Sequence, residues 1–440
     1  MPTARLQGVA GPSLDDVRRQ LAYLAERSAF YRRRLGGLAE RLRRVEDLRA
    51  VEYTTKDDLR AGQDRRPPFG EHLCAPREAL VRVHVTSGTT GTPVANGLTR
   101  ADHERNSAVG GEAFRIAGLR PDDVVAHCLN YALYAGGIAD HMALEASGAT
   151  VVPVGVGQSE RLLEILPRLG ITALFGTLSY PAHLARRARD MRIEPRRLGL
   201  RLIVTAGEPG AGLGAVRGEI EAAWGARAVD TFGMSDVWST MAGECGQGEG
   251  MHLTAGGAAL LELCDPASGD PVEIDDGATG ELVWTHVGRE ASPLLRYRSG
   301  DLAIVWTRPC RCGRPGPRLR IEGRKDDMIR VRAANVYPQA VGAVLGERPD
   351  LGRYAIVADG DPVEPPLRVL VEAAGVSRTE LDGLERELRR KLGAAVTLEP
   401  LAPGALPVAE HKTRLVYRPA LGDELPPGLA SATRAKEGER

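Results

Sequence analysis

The 440-residue sequence predicts an α/β protein. We expect a large N-terminal domain of doubly wound sheets plus a β subdomain, followed by a small α+β C-terminal domain. Three observations carry this prediction. Strand-like apolar runs alternate with helical segments between residues 124 and 205. The stretch from 258 to 308 is rich in strand-forming residues and in Gly/Asp turns. The length of the chain suggests two or three domains.

The predicted elements follow in that order. Residues 14–49 are Arg-rich, with apolar residues at helical spacing, which predicts helices. Buried strands of the α/β part are predicted at 124–129, 150–154, 173–175 and 202–205, with a helix over about 137–147. Between 258 and 308 we expect an antiparallel subdomain, because turn sequences separate short apolar runs there.

The domain boundaries follow the changes of pattern. Residues 1–323 are predicted to form the large domain and residues 324–421 the small one. Residues 422–440 are polar and contain Pro and Gly, which predicts a flexible tail.

Composition excludes several classes of function. The chain has 58 basic and 58 acidic side chains, so its net charge of zero favours neither nucleic acid nor an anionic membrane surface as a partner. No apolar run has membrane-spanning length and no signal-peptide pattern is found, so we expect a cytoplasmic protein. Its six cysteines are then expected to be reduced thiols or metal ligands.

The most informative motif is V-T-S-G-T-T-G-T-P at residues 85–93. Glycines let a backbone fold closely around an anion, while amide and hydroxyl groups donate to phosphate oxygens. The motif lacks the Gly-Lys-Ser/Thr ending of a Walker loop. A polar surface loop is the alternative interpretation.

This motif resembles the nucleotide loop of adenylate-forming enzymes, the superfamily of acyl-CoA synthetases and luciferases. The sequences S-A-F-Y-R at 28–32 and T-T-K-D-D-L-R at 54–60 are similar to the phenylacetate–CoA ligase branch of that superfamily. The resemblance extends from about residue 25 to about residue 418, with its motifs in the family's order. It implies a large adenylate-forming domain and a mobile small domain.

The resemblance also implies a function. An aromatic or other small carboxylic acid would be activated by ATP, with Mg²⁺, to acyl-AMP with release of pyrophosphate. The acyl group would then pass to a thiol, either of CoA or of a carrier-protein phosphopantetheine. An amide-forming ligase and a non-catalytic nucleotide-binding homologue are the alternatives. The oligomeric state is left open, with a homodimer as one option.

Nucleotide-binding residues follow from the same resemblance. The implied set is Thr86, Ser87, Gly88, Thr89, Thr90, Gly91, Gly207, Glu208, Pro209, Asp230, Thr231, Phe232, Gly233, Asp301 and Arg324. Within it, Asp301 would bind the ribose hydroxyls and Arg324 the ribose or phosphate. A rival interpretation is the dinucleotide-type pattern G-A-G-L-G-A at 210–215.

Three further residues acquire roles by resemblance. Asp236 would help to hold Mg²⁺, and Asp326 would be the hinge between the two domains. Lys412 would be catalytic, bridging the carboxylate and the α-phosphate in the first half-reaction. It is one of only five lysines in the chain.

The segment that follows the strand at 124–129 resembles the aromatic-acid loop of the phenylacetate–CoA ligase branch, and the resemblance implies an acyl pocket. It would contain Tyr131, Tyr134, Gly136, Ala206 and Met234. Aromatic rings could stack on a flat substrate, but the two tyrosines could equally be core residues.

A metal site is predicted from Cys245, His252, Cys310 and Cys312, because thiolates and imidazole suit tetrahedral Zn²⁺. Members of the resembled branch carry similar Cys/His positions. The alternative is two buried cysteines and a surface loop. Cys74, Cys128 and Cys264 are expected to be packing residues.

The chain departs from the family pattern in three places. Thr92 stands where lysine is common and His411 where glycine is usual, which motivates the non-catalytic alternative. Ala333 replaces a glycine whose added Cβ could obstruct a thiol, which motivates a carrier protein or an amine as acceptor.

Overall fold

Four helices open the described part of the chain. The computed structural model describes residues 11–86, 93–208, 214–247, 250–332, 334–348, 350–406 and 415–425. The first helices are α1 (Leu14–Arg27), α2 (Ala29–Leu35), α3 (Leu38–Arg41) and α4 (Lys56–Arg65). The predicted helical stretch is divided because Ser28 caps α2, while Gly36 and Gly37 take positive φ angles after it. Helices α1, α2 and α3 pack on Leu260, Val287 and Leu295 of the large sheet region, while Leu59 of α4 belongs to the core of the β-rich part.

The α/β part follows as alternating strands and helices. Its elements are β1 (Arg82–Val85), β2 (Ala95–Leu98), α5 (Arg100–Ala117), β3 (Val124–His127), α6 (Ala135–Ala146), β4 (Thr150–Pro153), α7 (Ser159–Arg168), β5 (Ala173–Thr177), α8 (Tyr180–Asp190), β6 (Leu202–Ala206), α9 (Gly214–Trp224) and β7 (Arg227–Phe232). The strands β7-β6-β5-β3-β4 are parallel neighbours in that order. One apolar cluster covers each face of these strands, with α5 and α6 on one side and α7, α8 and α9 on the other. The predicted doubly wound arrangement is confirmed.

The β-rich part continues the same sheet. Its strands are β8 (Ala242–Glu244), β9 (Met251–Leu253), β10 (Ala259–Cys264), β11 (Pro271–Val272), β12 (Ala278–His286), β13 (Tyr297–Trp306) and β14 (Arg318–Arg324). Together with the parallel strands they form a 12-stranded sheet of order β11-β10-β12-β13-β14-β9-β8-β7-β6-β5-β3-β4. The expected antiparallel subdomain is present, but the short strands β8 and β9 join it to the α/β part instead of leaving it separate.

A smaller α+β unit follows Arg324. It contains β15 (Ile329–Val331), β16 (Ala334–Val336), α10 (Pro338–Leu345), β17 (Leu351–Val357), β18 (Leu367–Ala373), α11 (Arg378–Leu392), β19 (Val396–Leu401) and β20 (Val416–Tyr417). Four strands form a sheet of order β19-β18-β17-β20, and α10 and α11 share an apolar core with it. The exact domain boundaries stay a prediction.

Two general expectations can be compared with this fold. All six cysteines are free thiols, and Cys74, Cys128 and Cys264 are buried as packing residues should be. None of the described helices combines the length and the apolar character that a bilayer crossing requires.

Candidate active site

Several predicted site residues share one edge of the sheet. Gly207 and Glu208 follow β6, while Asp230, Thr231 and Phe232 end β7. The loop with the predicted acyl-pocket tyrosines follows β3. Because these strands are parallel, their carboxyl ends lie together, at the edge where open α/β sheets bind ligands.

The hairpin β1–β2 flanks the predicted phosphate loop. Thr86 donates its backbone N–H to the Val94 carbonyl at 3.0 Å, and its hydroxyl accepts from the Val94 N–H at 3.0 Å. Val85 donates to the carbonyl of Leu133, at 3.0 Å, in the loop after β3. The ends of the loop are therefore fixed beside the predicted acyl pocket. Ser87, Gly88, Thr89, Thr90 and Gly91 themselves lie outside the described residues.

Asp301 and Arg324 form an ion pair in which the carboxylate is buried and the guanidinium is partly exposed. Arg324 Nη1 lies 2.9 Å from Asp301 Oδ1, and Arg324 Nη2 lies 3.1 Å from Asp326. Asp301 is 5% exposed, and its Oδ2 has no hydrogen-bond partner in the part of the chain that the structure describes. Burial raises the pKa of Asp301, and Arg324 opposes that shift. A buried carboxylate oxygen without a donor fits a ligand that supplies hydroxyl groups, as ribose does.

Asp236 is held by three side chains. Its Oδ1 accepts from Asn96 Nδ2 at 2.9 Å, and its Oδ2 accepts from the Tyr297 hydroxyl at 3.1 Å. Lys56 Nζ lies 3.5 Å from the same Oδ2. Sequence reasoning gave Lys56, Asn96 and Tyr297 no site role. Two signals in the sequence pointed toward Lys56: lysine is scarce in this chain, and Lys56 lies in the segment 54–60 that resembles the phenylacetate–CoA ligase branch.

Asp230 is a half-buried acid with a shifted pKa. Burial and the nearby Glu244 raise the pKa of Asp230 to about 7. Its Oδ1 accepts from the Thr205 hydroxyl at 3.1 Å and from the Thr231 N–H at 3.0 Å. The Asp230 N–H donates to Glu244 Oε2 at 3.0 Å. The carboxylates of Asp230 and Glu244 therefore accept hydrogen bonds from the backbone at the end of β7.

Asp230→Asn is expected to stabilise the protein at high pH. An unfolded Asp has a pKa near 3.9. The raised pKa of Asp230 in the folded protein therefore lowers the free energy of unfolding, by nothing below about pH 4 and by its full amount above about pH 7. We expect the free energy of unfolding to rise by about 1–2 kcal/mol at pH 8 and to be unchanged at pH 4, discounting the shift for partial solvent exposure.

Urea unfolding of both proteins at the two pH values measures this difference. Asp276→Asn is the matched control, because hydrogen bonds from the Arg308 and Thr307 backbones and the charge of Arg308 lower the pKa of that exposed carboxyl. It should not stabilise the protein at pH 8. An equal gain for Asp230→Asn at both pH values would contradict the titration argument.

Glu208 and Gly233 have structural tasks at this edge. The Glu208 carboxylate accepts from the Ser179 N–H at 2.7 Å and from the Ser179 hydroxyl at 3.1 Å, which fixes the turn that leads into α8. A Cβ on Gly233 would lie 1.9 Å from the Ser239 carbonyl oxygen, so this position accepts no side chain. Gly207 takes a φ of +77°, as the turn after β6 requires.

The predicted acyl-pocket tyrosines differ in exposure. Tyr131 is partly buried, stacks 4.7 Å from the His127 ring in a tilted arrangement, and hydrogen-bonds His141 Nδ1 at 2.8 Å. Tyr134 is 38% exposed and precedes α6. Leu133 between them has a φ of +61°, which costs a non-glycine residue about 1–2 kcal/mol. The hydrogen bond from the Val85 N–H to the Leu133 carbonyl helps to offset this cost.

The remaining pocket residues lie close by. Gly136 accepts from His127 Nε2 at 3.2 Å, so that ring nitrogen carries the proton. Burial lowers the pKa of His127 to about 4, which keeps the ring neutral. Ala206 ends β6, and Met234 packs with Phe232 on the core of the β-rich part.

The four predicted zinc ligands come together. The ligand atoms of Cys245, His252, Cys310 and Cys312 all lie within 4.8 Å of one another. Cys245 Sγ lies 3.7 Å from Cys310 Sγ, and Cys312 Sγ lies 3.4 Å from His252 Nε2. Zn–S bonds of about 2.3 Å in a tetrahedron place two sulfurs about 3.8 Å apart, so this set fits Zn²⁺.

Other predicted residues are not placed. Pro209, Lys412 and most of the pattern at 210–215 lie outside the described residues. Asp326 lies directly after β14, in a short 3₁₀ turn at Lys325–Asp327. That position, between the large sheet and the small unit, is consistent with the predicted hinge role.

Comparison with known proteins gives the family. The family model of "AMP-binding enzyme" matches residues 35–288. The chain is 33% identical over 421 residues to the phenylacetate–coenzyme A ligase of Thermus thermophilus, which covers 90% of this chain and 92% of the relative.

Solved structures extend this similarity to the three-dimensional fold. A 2-hydroxyisobutyryl-CoA ligase in the postadenylation state, in complex with 2-HIB-AMP, matches with a TM-score of 0.85 at 30% identity, covering 97% of this chain and 91% of that one. The same ligase with 2-HIB-AMP and CoA in the thioesterification state matches with a TM-score of 0.68 at 31% identity, covering 97% and 91%.

The family match, the close relative and the shared edge of the sheet agree with one another. This chain belongs to the AMP-binding enzyme family, in its phenylacetate–CoA ligase-like branch.

Proposed function

We propose that this AMP-forming acid–thiol ligase converts an aromatic or other small carboxylic acid, ATP and CoA into an acyl-CoA, AMP and pyrophosphate. A carboxylate oxygen of the acid attacks the α-phosphorus of ATP, and the bond to the pyrophosphate oxygen breaks. The CoA thiolate then attacks the acyl carbon, and AMP leaves with the electrons of the acyl–oxygen bond. The observation that carries this proposal is the buried Oδ2 of Asp301, which has no hydrogen-bond partner among the described residues.

The nucleotide would be held from three sides. Asp301 would accept from the ribose hydroxyls, with Arg324 fixing its carboxylate. The end of β7, with Phe232, would provide the adenine face. The loop at 87–91 and Lys412 would contact the phosphates, in keeping with the resemblance.

Mg²⁺ would neutralise charge as pyrophosphate leaves. Asp236 is the proposed carboxylate for this ion. Its oxygens already accept from Asn96 and Tyr297 and face Lys56, so we propose that it holds Mg²⁺ through water. Lys56 then adds a second positive charge beside the phosphates.

The acid would bind in the loop after β3. Tyr131 is partly exposed at this position and is backed by the buried neutral ring of His127, so it offers an aromatic face that suits an acid with a flat side group. CoA is the acceptor that the thioesterification-state relative binds, so we propose free CoA in preference to a carrier protein. A homodimer and a cytoplasmic location stay predictions.

A pyrophosphate-release assay over a panel of carboxylic acids tests the proposal. We expect release with at least one aromatic acid and formation of its CoA thioester. Formation of an amide instead of a thioester would support the amide-forming alternative. ATP binding without release for every acid would support a non-catalytic homologue.

We also propose that Cys245, His252, Cys310 and Cys312 hold a structural Zn²⁺. Cys310→Ser is expected to reduce bound zinc from about one per chain to almost none, because a hydroxyl is a poor zinc ligand. Metal analysis of purified protein measures this. Cys264→Ser is the matched control, because Cys264 is buried in β10 outside the cluster and should leave the zinc content unchanged. Equal zinc in both variants would contradict the assignment.

A further inference from the structure

Five arginines line a cavity that the nucleotide chemistry does not use. Its volume is about 610 Å³. We define the arginine cavity by the guanidinium-bearing residues Arg115, Arg120, Arg201, Arg227 and Arg314. Two thiols of the Cys/His cluster, Cys245 and Cys312, complete one wall.

The arginine cavity lies at the opposite edge of the sheet from the nucleotide site. Arg201 immediately precedes β6 and Arg227 begins β7, so both stand at the amino ends of parallel strands. Asp230 and Gly207 stand at the carboxyl ends of the same strands. A strand of five residues spans about 16 Å, so one small ligand cannot occupy both positions.

The cavity has more positive than negative charge. Arg201 pairs with Asp123, and Arg115 and Arg314 share Glu112 at 2.9 Å and 3.6 Å. Within the described ranges, no carboxylate lies within 4.0 Å of the Arg120 or Arg227 guanidinium. Among the described residues, two carboxylates therefore face five guanidinium groups, an excess of three charges. Zn²⁺ on three thiolates would reduce this excess to two.

The negative end of α5 is neutralised by the same arginines. Arg201 Nη2 donates to the Gly118 carbonyl and Arg227 Nη2 to the Ala117 carbonyl, both at 3.0 Å. The carbonyls at a helix C-terminus otherwise repel anions. With these groups satisfied, the walls of the cavity present N–H donors to a ligand.

We propose that the arginine cavity binds a small phosphorylated metabolite with at least two negative charges, at a site separate from ATP. Guanidinium groups match phosphate oxygens in a forked geometry and stay charged at all relevant pH values. A cavity of about 610 Å³ holds a sugar phosphate and not merely a single inorganic ion. The negative charge of such a ligand would balance the cavity's excess of two to three positive charges.

The competing explanation gives the arginines purely structural tasks. They would cap α5 and balance the thiolates of the Cys/His cluster. Arg120 separates the two explanations, because its exposed guanidinium makes no hydrogen bond and no ion pair among the described residues. Arg120 neither caps α5 nor pairs with a carboxylate there, so replacing it tests ligand binding without removing either of those structural contacts.

Calorimetric titration of the full-length protein with fructose 1,6-bisphosphate and with inorganic phosphate tests the proposal. We expect the bisphosphate to bind with micromolar affinity and more tightly than phosphate. Arg120→Ala and the double variant Arg120→Ala/Arg227→Ala should each weaken it, the double variant by at least about tenfold. The control Arg168→Ala/Arg197→Ala removes two exposed arginines elsewhere and should leave binding unchanged.

Asp301→Ala gives the reciprocal control. It should reduce AMP binding and leave bisphosphate binding unchanged, whereas Arg120→Ala should do the reverse. These two variants therefore distinguish an error in the proposed nucleotide site from an error in the proposed arginine-cavity site. Because Arg227→Ala could loosen α5, the thermal unfolding midpoint of each variant is measured alongside. No binding of either probe, or equal binding by wild type and Arg120→Ala, would overturn the proposal.

Discussion

Asp301→Ala is expected to lower kcat/KM for ATP by about 30- to 150-fold. The substitution removes the acceptor proposed for the ribose hydroxyls and takes away one of the two carboxylates that face Arg324. Truncating one partner of a buried charged pair costs about 2–5 kcal/mol, and because the Arg324 side chain is 33% exposed we expect the lower part of that range, about 2–3 kcal/mol, which corresponds to this fold-change. Asp326 remains 3.1 Å from Arg324 and limits the loss.

ATP–pyrophosphate exchange measures this effect, with AMP binding by calorimetry as a second reading. Asp276→Ala is the matched control, because this carboxylate also pairs with an arginine, Arg308, at 3.0 Å but is exposed. Exposed pairs contribute little, so its activity should stay within about twofold of the wild type. A similar loss in both variants would indicate a general structural effect and would remove Asp301 from the nucleotide site.

Local sequence patterns were sufficient to predict the parallel strands. β5 and β6 are continuous apolar runs with four of five residues buried, which is how strands covered on both faces look in a sequence. The sequence patterns could not predict that the parallel and antiparallel strands form one sheet. β8 and β9 are three residues long each, too short to give a period, and their pairing depends on the tertiary fold.

In the candidate site, too, some features could be predicted from local sequence and others depend on the tertiary fold. The Cys/His set could be predicted, because the residue types alone indicate a metal. Its assembly depends on sheet register, since His252 pairs with Arg318 across β9 and β14. The partners of Asp236 could not be predicted, because Lys56 and Asn96 are 180 and 140 residues away in the chain and neither carries a pattern that points to the other.

Lys412→Ala is expected to reduce acyl-AMP formation by about 100- to 1,000-fold. The proposed role of Lys412 is to place one positive charge between the carboxylate and the α-phosphate as they react. Removing one such preorganised charge or donor has an effect of about this size. Transfer of the acyl group from preformed acyl-AMP to CoA should stay within about threefold, because the small domain is proposed to rotate at Asp326 before that step.

Measuring the two half-reactions separately decides the matter. Pyrophosphate release reports the first, and thioester formation from synthetic acyl-AMP reports the second. Lys391→Ala is the matched control, because this lysine of α11 pairs with Glu347 and Glu387 at 3.3 Å on the surface and should affect neither step. Equal losses in both half-reactions would mean that Lys412 supports the fold or the bound nucleotide in general. A loss in the first half-reaction alone would support the proposed rotation at Asp326. That rotation would explain why Lys412 acts in adenylation and not in thioester formation, although both reactions use the same site.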